Sequence, residues 1–402
     1  MTRSTAVALA REPGRHLDRT PRESRRGRLA VLGALPALVA AMLSGCSLGG
    51  GASTPAIPAS STNTGTHSGT GAATAAAKPC PAGGTVLVAT HDSFVVPDPL
   101  LATFTAQTGC TAKILKSGDA GKLTNQLVLT KSSPIADAVF GIDNTFASRA
   151  VNEGILADYT PVTLPPGAGA LSADGTGAAV LTPVDYGDVC VNFDTQWFAA
   201  RQLAAPKTLA DLTKASYKDL FVTPAPTTSS PGMAFFLATV GAFGTDGWTD
   251  YWTKLKANGV KITSGWSDAY EVDFTQGGGK GTRPIVLSYN TSPPFTIPKG
   301  KTEPTTAALL DTCFRQVEYA GVLAGAKNPA GAKAFVDFLV SDAVQGSIAE
   351  NMYMYPASDV APIPKTWGKW ALPATKTFQV SSDDINANRD AWLKAWTELI
   401  GQ

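Results

Sequence analysis

Three histidines occur in the chain, His16, His67 and His91, and only His91 stands in a stretch patterned like a folded module. With Asp92 and Ser93 beside it the set has the residue types of a nucleophilic relay. Relay members converge from separate segments, however, and three consecutive residues cannot line up nucleophile, base and orienting carboxylate. From Cys80 onwards no GxSxG occurs, so the turn that lifts a serine onto a strand end is missing from the folded stretch. Gly277-Gly278-Gly279-Lys280-Gly281-Thr282 has the composition of a phosphate-cradling loop, but glycine rather than a hydroxyl follows the lysine, and it reads as a surface loop. The cysteines show no CxxC and no Cys/His spacing, which gives no zinc site. No catalytic residue, metal or cofactor is therefore expected.

Binding has more material. Thr227-Thr228-Ser229-Ser230-Pro231-Gly232 precedes the apolar Met233-Ala234-Phe235-Phe236, a pattern of hydroxyl caps and first-turn proline that starts a helix. Such an N-terminus caps itself, and its free N–H groups also suit an anion. Gly265-Trp266-Ser267-Asp268-Ala269-Tyr270 follows a short strand expected over Gly259 to Thr263. Ile285 to Phe295 is an apolar strand ending in Tyr289, Asn290 and Phe295, and Asn351-Met352-Tyr353-Met354-Tyr355-Pro356 closes a helix with aromatics. Each ring alone suits a core. Several at strand and helix ends suit stacking on a flat cation, with a carboxylate to meet its charge.

The elements that would hold these residues alternate. Strands are expected at Thr85 to Thr90, Thr111 to Leu115 and Ala136 to Asp143, and helices at Pro99 to Gln107 and Ala120 to Leu129, with another starting at Asn144. Alternation of this kind predicts an α/β layer structure with a parallel sheet. Ligands then sit beyond the carboxyl ends of the strands, where His91, Asp119 and Asp143 fall. Thr182 to Asp194 reads as a strand crossing into a second lobe, and Cys313 to Val322 as the return. The C-terminal part is helical over Pro329 to Val340, Asp342 to Asn351 and Asp383 to Ile400, the last with an apolar stripe of Ala391, Trp392, Ala395, Trp396 and Leu399 that predicts docking on a core.

The chain has 402 residues, a net charge of +1 and 44% hydrophobic residues, a globular composition with no basic surplus for nucleic acid. Arginine crowds the first 30 residues. Arg25, Arg26 and Arg28 lead into an apolar run from Leu29 to Leu43, the layout of an export signal too short to span a bilayer. Leu43-Ser44-Gly45-Cys46 is similar to a bacterial lipobox, which makes Cys46 the expected lipidation site. Residues 47–78 are nearly all Gly, Ala, Ser, Thr and Pro, a composition that cannot bury enough surface to order itself. The expected organisation is a signal over 1–45, lipidated Cys46 and tether over 46–82, lobe one over 83–187, lobe two over 188–313, and a return to lobe one over 314–402. In an oxidising compartment Cys80, Cys110, Cys190 and Cys313 can pair in three ways. Topology favours Cys80–Cys110, each just before a strand, and Cys190–Cys313, on the two crossings.

From His91 to the C-terminus the blocks Asp92-Ser93-Phe94, Gly141-Ile142-Asp143-Asn144, Asp185-Tyr186-Gly187, Ser229-Ser230-Pro231-Gly232, Gly265 to Tyr270, Leu287 to Pro293 and Met354-Tyr355-Pro356 together resemble the periplasmic thiamine-binding proteins of ABC importers. The resemblance implies a two-lobed type II periplasmic binding fold with two crossover hinge strands, closing on thiamine, thiamine phosphate or thiamine diphosphate. It places Ser229, Ser230 and Gly232 at the phosphate or hydroxyethyl end. Trp266, Tyr289, Asn290 and Phe295 line the slot, and Asp119 is an acidic contact, with His91 and Asp92 nearby. His91 stands where the family has tyrosine, Tyr353 where it has a stacking tryptophan, and Phe295 lacks a family hydroxyl. The expected partners are the permease and ATPase subunits of an importer and, through the lipid, the outer face of the cell membrane, with the protein a monomer. A same-fold carrier of a polyamine or ferric iron is the alternative, and a cell-envelope hydrolase a more distant one.

Overall fold

The chain enters the fold at Cys80, whose amide donates to the Thr108 carbonyl at 3.2 Å. The computed structural model describes Pro79, Cys80 and residues 83–401, all of them in the unit Ala73–Gln402. The export signal expected over 1–45, the lipidation site Cys46 and the tether expected over 46–82 lie outside the described residues, Pro79 and Cys80 excepted. Among the described residues no helix is long and apolar enough to cross a membrane.

Strand and helix alternate at first: β1 (Gly84–Thr90), α1 (Asp98–Thr108), β2 (Cys110–Lys116), α2 (Ala120–Leu129), β3 (Ala138–Asp143), α3 (Ala147–Asn152) and β4 (Leu156–Ala157). The long β5 (Thr182–Asp194) leads to α4 (Thr195–Ala200), β6 (Phe221–Pro224), α5 (Ser230–Ala257), β7 (Lys261–Thr263) and β8 (Ile285–Tyr289). The 18-residue β9 (Thr306–Leu323) returns, followed by α6 (Pro329–Leu339), α7 (Asp342–Asn351), β10 (Tyr355–Pro356), α8 (Trp367–Trp370) and α9 (Ser382–Ile400). α5 is broken at Gly244, where φ is 78°. Asn144 does not start a helix: it is tied to β9, its side chain donating to Arg315 O and accepting from Val317 N.

The strands form one sheet in the order β2-β1-β3-β9-β5-β8-β6-β7, with β4 beside β9 and β10 beside β5. It is parallel only towards its ends, β2-β1-β3 and β8-β6-β7. At its centre β9 runs antiparallel to β3 and β5, and β5 antiparallel to β8. The expectation of a parallel sheet fails there for a simple reason. A strand that leaves one half of the molecule and a strand that returns must run in opposite directions when they pair. The structure links Cys190 of β5 to Cys313 of β9, and Cys80 to Cys110.

Successive residues of β1 and β3 face opposite sides, so these strands are buried on both faces. Val86, Val88 and Phe140 pack under α6 with Phe104 and Phe335, while Ala89, Val139 and Ile142 pack against Leu123 and Leu127 of α2. A third cluster gathers Phe235, Phe236, Trp248 and Trp252 of α5 around β5 and β8. Trp392 and Trp396 of α9 close it, their rings 6.2 Å from Phe236 and 5.4 Å from Trp252. The last helix thus docks on α5, in the segment expected as lobe two, and also meets α3, where Asn152 donates to Asn386. Each such buried ring contributes about 1.5–3 kcal/mol relative to exposure.

Candidate ligand-binding site

A cavity of about 1040 Å³ opens between the end of β1, the start of α2, the loops before and after α5, the end of β8 and the end of α7. Of the residues singled out in the sequence it brings together His91, Asp92, Asp119, Ser230, Trp266, Tyr289, Phe295 and Tyr353. The rings come from distant parts of the chain. Trp266 stacks on Tyr270, centroids 4.9 Å apart and planes 13° from parallel, and its Nε1 donates to Ser288 Oγ at 3.0 Å. The Phe295 and Tyr353 rings lie against each other and are both exposed. Tyr353 holds a left-handed backbone, φ 62°, which costs a side-chain-bearing residue of order 1 kcal/mol and is met most often at functional loops.

Asp119 joins two walls. It caps α2 by accepting from Ala120 N at 2.7 Å, and it also accepts from Ser230 N at 3.2 Å and from Trp266 N at 2.9 Å. Burial pushes its carboxyl above the ordinary range, although these N–H donors pull the other way. The same contacts settle how the start of α5 is used. The Ser230 amide goes to Asp119, the Gly232 amide to Ser229 Oγ at 3.3 Å, the Met233 amide to Ser229 O, and Pro231 has none to give. The anion seat expected at this helix end is filled by the protein's own carboxylate. Only Ser230 Oγ, buried and without a partner, remains to offer.

Three expected site residues stand off the cavity wall. Ser229 is fully buried as the α5 cap. Gly232 packs so tightly that a Cβ would lie 2.6 Å from the Pro224 and Ala225 carbonyl oxygens. Asn290 is buried behind the wall, accepting from Asp188 N at 3.0 Å and donating to Leu372 O. Their types suit a ligand contact, but capping, close packing and strand-end bracing use them first.

Glu318 and the mouth carboxylates Asp268 and Glu271 line the cavity and escaped the sequence reading. A signal for Glu318 was present: Arg315, Gln316 and Glu318 interrupt the apolar run of the crossing from Cys313 to Val322, and β9 buries the last two. Glu318 lies opposite Asp143 of β3 and Asp185 of β5. Burial and the neighbouring Glu318 charge hold Asp185 far above the usual carboxylate range. Tyr289 leans over this row with its hydroxyl 3.2 Å from Gln316 Oε1. Five acidic side chains, Asp92, Asp119, Asp268, Glu271 and Glu318, line the cavity against Lys122 and His91, so it favours a positive, flat ligand over an anion.

Residues 133–385 match the model of the bacterial extracellular solute-binding protein family. A thiamine-binding periplasmic protein of Salmonella typhimurium is 31% identical over 342 residues, 82% of this chain and 96% of the relative. The solved structure of a periplasmic thiamin binding protein is 28% identical and superposes with a TM-score of 0.69, covering 79% of this chain and 96% of the other. Iron-bound HitA from Pseudomonas aeruginosa, 20% identical with a TM-score of 0.60 over 79% of this chain and 99% of the other, shares the fold alone.

Proposed function

This chain belongs to the bacterial extracellular solute-binding protein family, a family of type II periplasmic binding proteins and not of enzymes, and from that premise we propose that its cavity captures thiamine for an ABC importer. The observation that carries the reading is the gathering of Trp266, Tyr270, Tyr289, Phe295 and Tyr353 with five carboxylates around one void. A flat cationic heterocycle gains stacking and cation–π attraction from such rings. In the proposed pose Trp266 and Tyr289 form the inner walls, Phe295 and Tyr353 the rim, and Ser230 Oγ serves a hydroxyl of the ligand. Free thiamine is preferred over its phosphates, because Asp119 occupies the helix end that a phosphate would seek.

The lobes proposed are 83–187 with 314–402, and 188–313, moving about β5 and β9. A lipid on Cys46 and the segment 46–82 would hold the module, as a monomer, at the outer face of the cell membrane. A second reading, a polyamine, draws support from the same acids and rings.

Fluorescence titration of the full-length protein with thiamine, thiamine phosphate, thiamine diphosphate and spermidine separates these. Thiamine should quench tryptophan emission, bind more tightly than either phosphate, and lose about tenfold or more in affinity in Trp266→Ala. Spermidine binding without thiamine binding would move the assignment to polyamines, and an unaltered affinity in Trp266→Ala would remove the pose.

A further inference from the structure

At the inner end of the cavity His91 Nε2 lies 3.3 Å from Glu318 Oε1, with side chains 11% and 7% exposed. The imidazole has a built seat. Gly141, at a bulge in β3 with φ 103°, passes so close that a Cβ there would meet the ring at 2.3 Å. The Phe140 ring packs on it at 5.3 Å.

The row Asp143–Glu318–Asp185 cannot carry three charges, because carboxylates on facing strands repel strongly when dry. Burial and Glu318 push both outer acids up, whereas His91 and the hydrogen bonds of Asp185 and Gln316 outweigh burial and hold Glu318 down. The row's negative charge therefore rests on Glu318. Of the two carboxylates on the inner cavity wall, Asp119 has its oxygens engaged by three backbone amides. Glu318 is met by His91, Asp185 and the Gln316 amide, movable side chains rather than fixed backbone amides, and is the one able to turn its charge to a ligand.

We propose that Glu318 is the charge-selecting residue of the cavity, and that a proton on His91 and the positive charge of a bound ligand compete for it. The inference rests on the cationic-ligand reading above. In the structure His91 Nδ1 accepts from Ser93 N at 3.2 Å, the arrangement of a neutral imidazole with its remaining proton on Nε2, the nitrogen that lies 3.3 Å from Glu318 Oε1 without a hydrogen bond. Protonation breaks the Ser93 contact and sets a cation at the carboxylate. A ligand cation stacked nearby then meets a like charge in a dry site, and one of the two must leave. The proton leaves to solvent and the ligand stays.

The charged groups facing His91 are Glu318 from β9, Asp119 from the start of α2 and Asp92 from its own loop; Asp143 and Asp185 stand behind Glu318, and Lys122 lies on the cavity wall. Burial lowers the imidazole's affinity for a proton, but Glu318 first, then Asp119 and Asp92, overcome it and raise its pKa. Ligand affinity accordingly falls as the medium becomes acid.

Calorimetric titration of the full-length protein with thiamine, from about pH 5 to pH 8 in two buffers of different protonation heat, tests this. Affinity should rise up to about tenfold per pH unit on the acid side of the His91 titration and level off above it, with up to about one proton released per thiamine bound. His91→Gln should lose that slope and that proton whatever its absolute affinity, and any proton exchanged by the ligand itself survives in the variant and is subtracted. Glu318→Gln should weaken thiamine by about tenfold or more; should that variant fail to fold, the His91→Gln comparison decides. Thiamine bound with the same slope and proton count in parent and His91→Gln overturns the inference and leaves thiamine capture standing. No thiamine bound at any pH removes both.

Discussion

Asp143 ends β3 with one oxygen satisfied and one not: Oδ1 accepts from Thr145 N, Thr145 Oγ1 and Phe146 N, while Oδ2 is buried without a partner. Burial, with Glu318 adding to it, lifts its carboxyl to about 7 despite the Thr145 donors. A folded pKa above the unfolded one means the native state holds the proton more tightly. The stabilising contribution is full below about pH 4 and is lost as pH rises through about 7, at up to about 1.4 kcal/mol per unit. Asp143→Asn cannot ionise, so its melting temperature relative to the parent should climb by several degrees between pH 5 and pH 8. A constant difference across that range would mean the carboxyl does not titrate there. Residue types announced the rings and Asp119, since stacking surfaces at strand ends are visible in a sequence. They could not announce that Ser229 and Gly232 are spent on their own helix, because hydrogen-bond partners are set by what packs alongside.

The start of α5 depends on contact between backbones. With Pro224 and Ala225 carbonyl oxygens 2.6 Å from where a Cβ would sit, Gly232→Ala must push the helix off β6. Overpacking of this kind costs about 1–3 kcal/mol. Thermal unfolding should show the loss, and thiamine affinity should fall with it, because the same shift moves Ser230 and the Asp119 bond. A variant as stable as the parent would place slack where the structure has none. Element positions were largely legible: α2 and β5 begin and end where the apolar runs do, since each is bounded by a cap or a polar turn. Strand direction was not. Local periodicity says nothing about which neighbour a strand acquires, and the antiparallel pairs of β9 join residues more than a hundred positions apart, such as Asp188 and Arg315. The partner of α9 was hidden for the same reason; its stripe shows that it docks, not that Trp396 meets Trp252.

At the scale of the molecule, the proposed lipid at Cys46 separates location from binding. Cys46→Ser in the native host should move the protein from the membrane fraction to the soluble one while the isolated protein binds thiamine as before. Retention in the membrane fraction would point to a different anchor. The Cys190–Cys313 bond has a consequence of its own. It joins cysteines 123 positions apart in the sequence and closes the chain between them into a ring, so most of one half of the molecule is a covalent loop hung from the other. A protease that cuts one peptide bond between the two cysteines opens that ring without releasing either piece. The two pieces stay joined through β5 and β9 until a reductant reaches that bond, so in an oxidising envelope cleavage of the chain and release of a fragment become two separate events.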